Sequence, residues 1–270
     1  MAKAAMEFGG SIPEYYDAIL GAGQFEVFAA DLAGRLPTRA PGDVLELACG
    51  TGIVTQRLRQ RLDASLKLVA TDISKAMLDY AENKLRAVPG IAWREADATK
   101  LPFDSASFGA AVCAFGIMFF PDKRAALSEA RRVLKKGGRL LLNVWDGLDA
   151  NPHGRANARV MDALFPGDAE MQFAKVPYGF NDPAVLGELL EKAGFGAPQF
   201  EKVKLPVHCA SAREWATGQM RGTPRGALVE QRGMALEEVI GKVAAALAQV
   251  GGEAPFRCMA QALVVEARAI

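Results

Sequence analysis

Between residues 43 and 55 the chain reads DVLELACGTGIVT, an apolar run that carries Glu46 and then breaks into Cys-Gly-Thr-Gly. A buried carboxylate costs several kcal/mol unless it is paired or hydrogen-bonded. Two glycines one residue apart give up packing and helix propensity just where a helix begins. That exchange is common in loops that bring the backbone close to a ligand. Asp72 follows twenty residues beyond Gly52, at the end of a second apolar run. A carboxylate in that position accepts hydrogen bonds from both hydroxyls of a ribose, or else caps the helix that follows. Asp97 comes directly after a third run, in EADATKLPF. Beside the backbone N–H of Ala98 it offers an acceptor next to a donor, the complement of an adenine edge, or else it is a solvated loop residue. The third glycine of the dinucleotide fingerprint would fall at Thr55, so that pattern is incomplete.

The elements that position these groups follow from periodicity. Residues 44–48, 67–71, 91–95, 108–115 and 139–145 read as strands. Between them lie helices with stripes at Val54, Leu58 and Leu62, at Met77, Leu78, Ala81 and Leu85 behind a Ser74 cap, and at Ala126, Leu127, Ala130, Val133 and Leu134. The last of these is expected to open at Pro121 and to end at Gly137-Gly138. Regular alternation predicts an α/β, Rossmann-like doubly wound sheet, parallel through these strands, whose ligand lies at the carboxyl ends near the switch point. A helix after Asp182-Pro183, a strand at about 199–208, a helix through Leu236 to Leu247 and a strand at about 256–268 complete it. We expect an N-terminal helical cap over 1–42, a cofactor-binding core over 43–145, and the remainder of the same domain over 146–270. Helical cover insertions are expected at about 146–181 and 209–254.

Composition narrows the function. The 270 residues are 50% hydrophobic with a net charge of +1, so no global field favours nucleic acid or an anionic membrane. No Asn-Pro-Pro-aromatic motif for base chemistry is present. The four cysteines (Cys49, Cys113, Cys209, Cys258) and two histidines form no metal-ligand spacing, so no metal is expected. The N-terminal MAKAAMEFGGSIPEYY lacks the apolar run of a signal peptide and no segment has the length of a membrane span, which predicts a cytoplasmic protein. Oligomeric state is not legible.

VLELACGTG, TDIS with AML, EADATKLPF with SASF, and LSEARRVLKKGGRLLLNVW, in this order and spacing, resemble the class I S-adenosylmethionine-dependent methyltransferases, in the branch of ubiquinone and menaquinone biosynthesis (methyltransferase type 11). The resemblance is continuous over about 43–145. It implies a seven-stranded sheet, mostly parallel, with the last strand antiparallel between the fifth and sixth. It also implies roles. Ala48, Gly50 and Gly52 form the turn under the methionine part, with Glu46 supporting it from below. Asp72 holds the ribose, with Ile73 and Met77 against the adenine and Asp97 and Ala98 at its edge. The Phe115 carbonyl binds the amino group, and the region around Tyr15, Tyr16, Phe25 and Phe28 caps the cofactor, although Phe25 and Phe28, at helical spacing, read equally as plain core. Two departures stand out: Ala48 replaces a frequent glycine, and FGIMFFPD after the fourth strand lacks the histidine many relatives carry.

Met118, Phe119, Phe120 and Trp145 fall at the carboxyl ends of the fourth and fifth strands. They read as the wall of a small, partly apolar methyl acceptor, or as core. Arg221 reads as a contact for an anionic group, or as a loop arginine. No catalytic base stands out; His153, His208 and Tyr178 are the candidates if one is needed. The expected activity is in-line methyl transfer to a small molecule. A non-catalytic S-adenosylmethionine-binding partner protein and a nicotinamide-dependent oxidoreductase are the alternatives.

Overall fold

The structure is a computed structural model that describes residues 8–196 and 198–270. Residues 1–7, part of the expected N-terminal cap and of the stretch read for a signal peptide, lie outside the described residues. Seven strands form one sheet: β1 (Val44–Leu47), β2 (Leu68–Asp72), β3 (Ile91–Glu95), β4 (Phe108–Ala114), β5 (Leu134–Trp145), β6 (Gln199–Cys209) and β7 (Phe256–Arg268). Their order is β3-β2-β1-β4-β5-β7-β6. β1 pairs in parallel with both β2 and β4, Glu46 opposite Ala70 on one side and Val112 on the other. β7 runs antiparallel between β5 and β6, with Trp145 opposite Ala262 and Val203 beyond it. The antiparallel insertion between the fifth and sixth strands is therefore present. The chain winds outward from β1 to β3 and then returns to β4 on the other side, so the switch point lies between β1 and β4.

Burial explains the apolar runs. Every residue of β1 is buried, and so is all of β4 but its last, because helices cover both faces. They are α1 (Ile12–Tyr15), α2 (Glu26–Arg35), α3 (Ile53–Arg61), α4 (Lys75–Lys84), α5 (Lys123–Val133), α6 (Pro152–Leu164), α7 (Pro183–Lys192), α8 (Ala212–Arg221), α9 (Arg225–Gln231) and α10 (Leu236–Gly251). Ser74 caps α4 through the N–H of Met77, as its position predicts. The expected start at Pro121 moves by two residues, because Asp122 is the cap and accepts the N–H of Ala125. The expected stop at Gly137-Gly138 also moves. Leu134 is already extended, and the two glycines form an irregular start to β5, where the register to β4 slips. There Gly137 donates to the Ala269 carbonyl at 2.8 Å and Ala269 donates back to Gly138 at 2.9 Å. The pair thus ties β5 to the C-terminal strand instead of ending a helix.

A ten-residue π-helix, Tyr16–Phe25, joins α1 to α2. It crosses the switch point and is pinned on the far side by Asp17, which meets Lys84 of α4 at 2.6 Å. Residues 146–181 contain α6 and residues 209–254 contain α8, α9 and α10. Asn151 fastens the first of these stretches to the sheet: its side chain donates to the Gln261 carbonyl at 3.0 Å and accepts the Gln261 N–H at 2.9 Å. Among the described residues no helix is long and apolar enough to cross a membrane, and no cluster of His, Cys, Asp and Glu is arranged to hold a metal ion.

Candidate cofactor and acceptor site

The turn after β1 is set by three left-handed residues: Ala48 (φ 53°), Gly50 (54°) and Gly52 (78°). For Ala48 that conformation costs about 1–2 kcal/mol. Its methyl is accommodated from across the switch point, where a Cβ at Gly116 would lie 2.6 Å from the Ala48 Cβ. A side chain at 48 is therefore compatible with the turn only because 116 has none. Gly52 opens α3 with no side-chain cap, which leaves the first N–H groups of the helix directed at the turn.

Asp72 ties the turn after β1 to the start of α4. One carboxylate oxygen accepts the Gly50 N–H and the other the Ser74 N–H, each at 2.8 Å. It holds the turn and starts α4 at once. Burial raises its pKa, while the N–H groups of Ser74, Gly50 and Ile73 pull it down. Tyr16 lies within its field: burial, then the charges of Asp72 and Asp17, raise the phenol pKa. The Tyr16 ring stacks on Phe25 at 5.1 Å. Ile73 stands exposed beside Asp72 while Met77 is buried. Asp97 is exposed and accepts both the N–H and the hydroxyl of Thr99 at 2.8 Å, with Ala98 buried next to it.

Four buried polar atoms gather round this turn without a hydrogen-bond partner: Glu46 Oε2, Thr51 Oγ1, Thr55 Oγ1 and Asn143 Nδ2. Unsatisfied buried groups are rare in proteins, and each calls for an ordered water, an ion, a ligand or local strain to explain it. Burial pushes the Glu46 carboxyl up to about 8. Thr55 faces it and opposes that rise through its hydroxyl and N–H, although the Thr55 hydroxyl makes no hydrogen bond of normal geometry. Because this carboxyl holds its proton more tightly when folded, its contribution to stability is full below the ordinary value of 4.5 and is lost as pH rises toward 8. Urea midpoints should fall between about pH 5 and about pH 9, and fall less for Glu46→Gln. Equal falls in both proteins would show that Glu46 is ionised throughout.

Phe115 also adopts a left-handed conformation, φ 50°. Its N–H is shared between the main-chain carbonyl of Asn143 at 3.1 Å and the Asn143 side-chain oxygen at 3.0 Å. Asn143 was missed in the sequence, where its one signal is a lone amide inside RLLLNVW. The Phe115 ring stacks on Trp145 at 4.0 Å, and Phe28 meets Trp145 edge-on at 5.2 Å. Phe25 and Phe28 thus serve the aromatic cluster at the ends of β4 and β5 together with their own helices. Met118 is buried, Phe120 half-buried, and Phe119 exposed at the end of a short 3-10 turn.

Of the three candidate bases, two come together. His153 is fully buried on α6, with Nε2 at 3.3 Å from the Tyr178 hydroxyl and its ring 6.3 Å from that of Trp145. Burial lowers its pKa to about 4, so it is a neutral imidazole over the physiological range. Burial raises that of Tyr178. His208 stays apart, exposed on the outermost strand and paired with Arg257. Arg221 is committed to Glu237 at 2.8 Å and lies over the Tyr15 ring at 6.0 Å. The buried arginine of that stretch is instead Arg225 at the start of α9, which sequence reasoning passed over.

A model of the methyltransferase domain matches residues 44–138, the span that contains the switch-point turn, Asp72, Asp97 and Phe115. The demethylmenaquinone methyltransferase of Lactococcus lactis subsp. lactis is 30% identical over 214 residues, 74% of this chain and 85% of that protein. The demethylmenaquinone methyltransferase of Deinococcus radiodurans is 36% identical over 144 residues, 52% of this chain but only 59% of that relative's length. The YcgJ protein of Bacillus subtilis has the same fold at a TM-score of 0.60, with 18% identity over 90% of this chain and 98% of that one. The match across most of the lactococcal enzyme shows the family: this chain belongs to the S-adenosylmethionine-dependent methyltransferases, in the branch of the ubiquinone and menaquinone biosynthesis enzymes, and S-adenosylmethionine is its cofactor.

Proposed function

We propose that the protein C-methylates a small aromatic acceptor of the hydroquinone type. The observation that carries this reading is the closeness of two unlike surfaces at one switch point. One is the polar turn built on Asp72 and Gly50; the other is the aromatic cluster of Phe115 and Trp145, brought next to it where Gly116 packs against Ala48. The names of the relatives support the acceptor class. S-adenosylmethionine supplies an electrophilic methyl group on a sulfonium.

The protein's own part is binding, orientation and exclusion of water. Asp72 accepts from the ribose, Ile73 and Met77 flank the adenine, and Asp97 with the Ala98 N–H reads its edge. Ala48, Gly50 and Gly52 bring the backbone under the methionine end. There the orphaned Glu46 Oε2 and the Phe115 carbonyl suit an ammonium group, so the residues present fit the cofactor. Tyr16, on the π-helix that crosses the turn, covers it. Met118, Phe119, Phe120 and Trp145 give the acceptor an apolar wall. Holding a nucleophile at near-attack distance contributes roughly 7–11 kcal/mol to such reactions. An aromatic carbon attacks best when a neighbouring hydroxyl is deprotonated. The groups proposed to relay that proton are His153, held neutral by burial, and the Tyr178 hydroxyl 3.3 Å from its Nε2. Arg221 has no part in this reading, because Glu237 holds it. We place the reaction in the cytoplasm, where four free cysteines stay reduced.

Calorimetric titration with S-adenosylmethionine, S-adenosylhomocysteine and NADH, followed by transfer of a labelled methyl to a reduced demethylated quinone, tests the proposal. Binding of the first two and label on a ring carbon support it. Label on nitrogen or oxygen of another acceptor would overturn the acceptor class. Cofactor binding without transfer to any acceptor would favour the non-catalytic partner.

A further inference from the structure

We infer that Asn143 is a positioning residue for the methionine end of the cofactor: from β5 it fixes the Phe115 peptide so that the Phe115 carbonyl is presented to the ammonium group. This rests on the methyltransferase reading and adds to it a residue that acts through another.

Packing does not explain the amide. Asn143 lies inside RLLLNVW, between Leu142 and Val144, and is fully buried. Burying an amide is costly unless it is hydrogen-bonded, and here only half of it is. Its Oδ1 accepts the Phe115 N–H at 3.0 Å, while Nδ2 has no partner. Nor does the Phe115 N–H need that oxygen, because the main-chain carbonyl of Asn143 already accepts it at 3.1 Å. What the second acceptor adds is direction. Two acceptors on one residue fix where the N–H points, and with it the plane of the peptide that enters Phe115.

The conformation so held is one that a phenylalanine avoids. Phe115 has φ 50°, in the left-handed region that strains every residue but glycine. It follows the last residue of β4, Ala114. Its N–H still bonds to β5, but its carbonyl accepts no hydrogen bond from the described residues. Phe115 is buried, and a buried carbonyl is normally paired. Gly116 shows where that carbonyl lies. A Cβ there would stand 2.6 Å from the Ala48 Cβ and 3.0 Å from Cys113 Sγ, so the peptide between Phe115 and Gly116 borders the turn after β1. Asn143 and Trp145 are two apart on β5 and share one face of the sheet. Trp145 stacks on the Phe115 ring at 4.0 Å. One face of β5 thus grips Phe115 by its N–H and by its ring, and the group left over is an acceptor. A group that carries only donors, as an ammonium does, is its complement.

The test titrates the full chain calorimetrically with three ligands. They are S-adenosylhomocysteine, its deaminated analogue, which keeps the carboxylate and lacks the ammonium, and methylthioadenosine, which lacks the amino-acid end altogether. The parent chain should bind S-adenosylhomocysteine roughly tenfold more tightly than the deaminated analogue. Asn143→Leu should bind those two alike and keep methylthioadenosine within about twofold of the parent. Asn143→Asp keeps Oδ1 and replaces only the unpaired Nδ2, so the preference should return. A merely structural Asn143 would instead weaken all three ligands in proportion. That result, a preference that survives in Asn143→Leu, or one that fails to return in Asn143→Asp overturns the inference. So does loss of methylthioadenosine binding from both variants, which would make Asn143 a residue of the fold and not of the site; if Asn143→Leu alone loses it, Asn143→Asp decides. A parent chain without the preference also overturns the inference and leaves the cofactor reading intact. A parent chain that fails to bind S-adenosylhomocysteine takes both readings down.

Discussion

Asp72→Ala is expected to bind S-adenosylmethionine about ten- to hundredfold more weakly than the parent chain, a loss of about 1–3 kcal/mol. Two effects add. The substitution removes the acceptor proposed for the ribose hydroxyls. It also strips the Gly50 N–H and the Ser74 N–H of the oxygens they now meet at 2.8 Å, so the turn under the methionine end loses one of its ties to β2 and keeps only the Cys49 N–H on the Thr71 carbonyl. Asp72→Asn separates the two. Its amide oxygen still takes one N–H, and its NH2 cannot accept from a ribose. The asparagine variant should therefore recover part of the turn's order and little of the affinity. Calorimetry with S-adenosylmethionine and with adenosine alone is the check. Adenosine carries the ribose but no methionine, so a ribose role predicts similar proportional losses for both. Parent-like affinity in Asp72→Ala would mean that this carboxylate serves only the turn and the start of α4.

The legible and illegible parts of this molecule differ in the range of the forces that set them. Strands β1 to β5 and their helices are readable because a parallel sheet covered on both faces needs uninterrupted apolar runs, and VLEL or FGAAVCA meet that need locally. Asp72 is readable for the same reason, since it ends such a run; Asp97 follows the edge strand β3, whose IAWRE has no buried residue, and its place follows from the alternation of strands and helices instead. Arg221 and Arg225 show the limit. They sit four residues apart in QMRGTPRG, on either side of the break between α8 and α9. One turns out to Glu237 and the other inward to Asn157. That choice is made by α6 and α10, which no local pattern announces. Asn143 is similar, since its function depends on a left-handed peptide one strand away. The π-helix is the largest such feature. Tyr16, Ile19 and Leu20 fit an α or a π period equally well, and what distinguishes them is tertiary.

That tertiary cause predicts the second large effect. Gly23 lies on the π-helix where it meets β6, and a Cβ there would stand 2.3 Å from the His208 carbonyl oxygen and 3.6 Å from the Trp215 ring. The first contact is with backbone inside a strand paired along its whole length to β7, so neither partner can rotate away. Gly23→Ala should destabilise the fold by about 1–3 kcal/mol, the usual cost of forcing extra volume into packed structure. The strain is relieved most cheaply by lifting the π-helix from β6, which also carries Tyr16 and Phe25 off the switch point. S-adenosylmethionine affinity should therefore fall as well, in a variant altered far from the turn itself. Gly34→Ala is the control. It too is a helical glycine, in α2, but a Cβ there meets nothing within 4 Å. It should raise stability by about 0.5–1 kcal/mol through helix propensity and leave affinity alone. Urea midpoints and calorimetry on the two variants read both quantities. A parent-like Gly23→Ala would show that the π-helix is not held against β6, and its role over the cofactor would have to be assigned elsewhere.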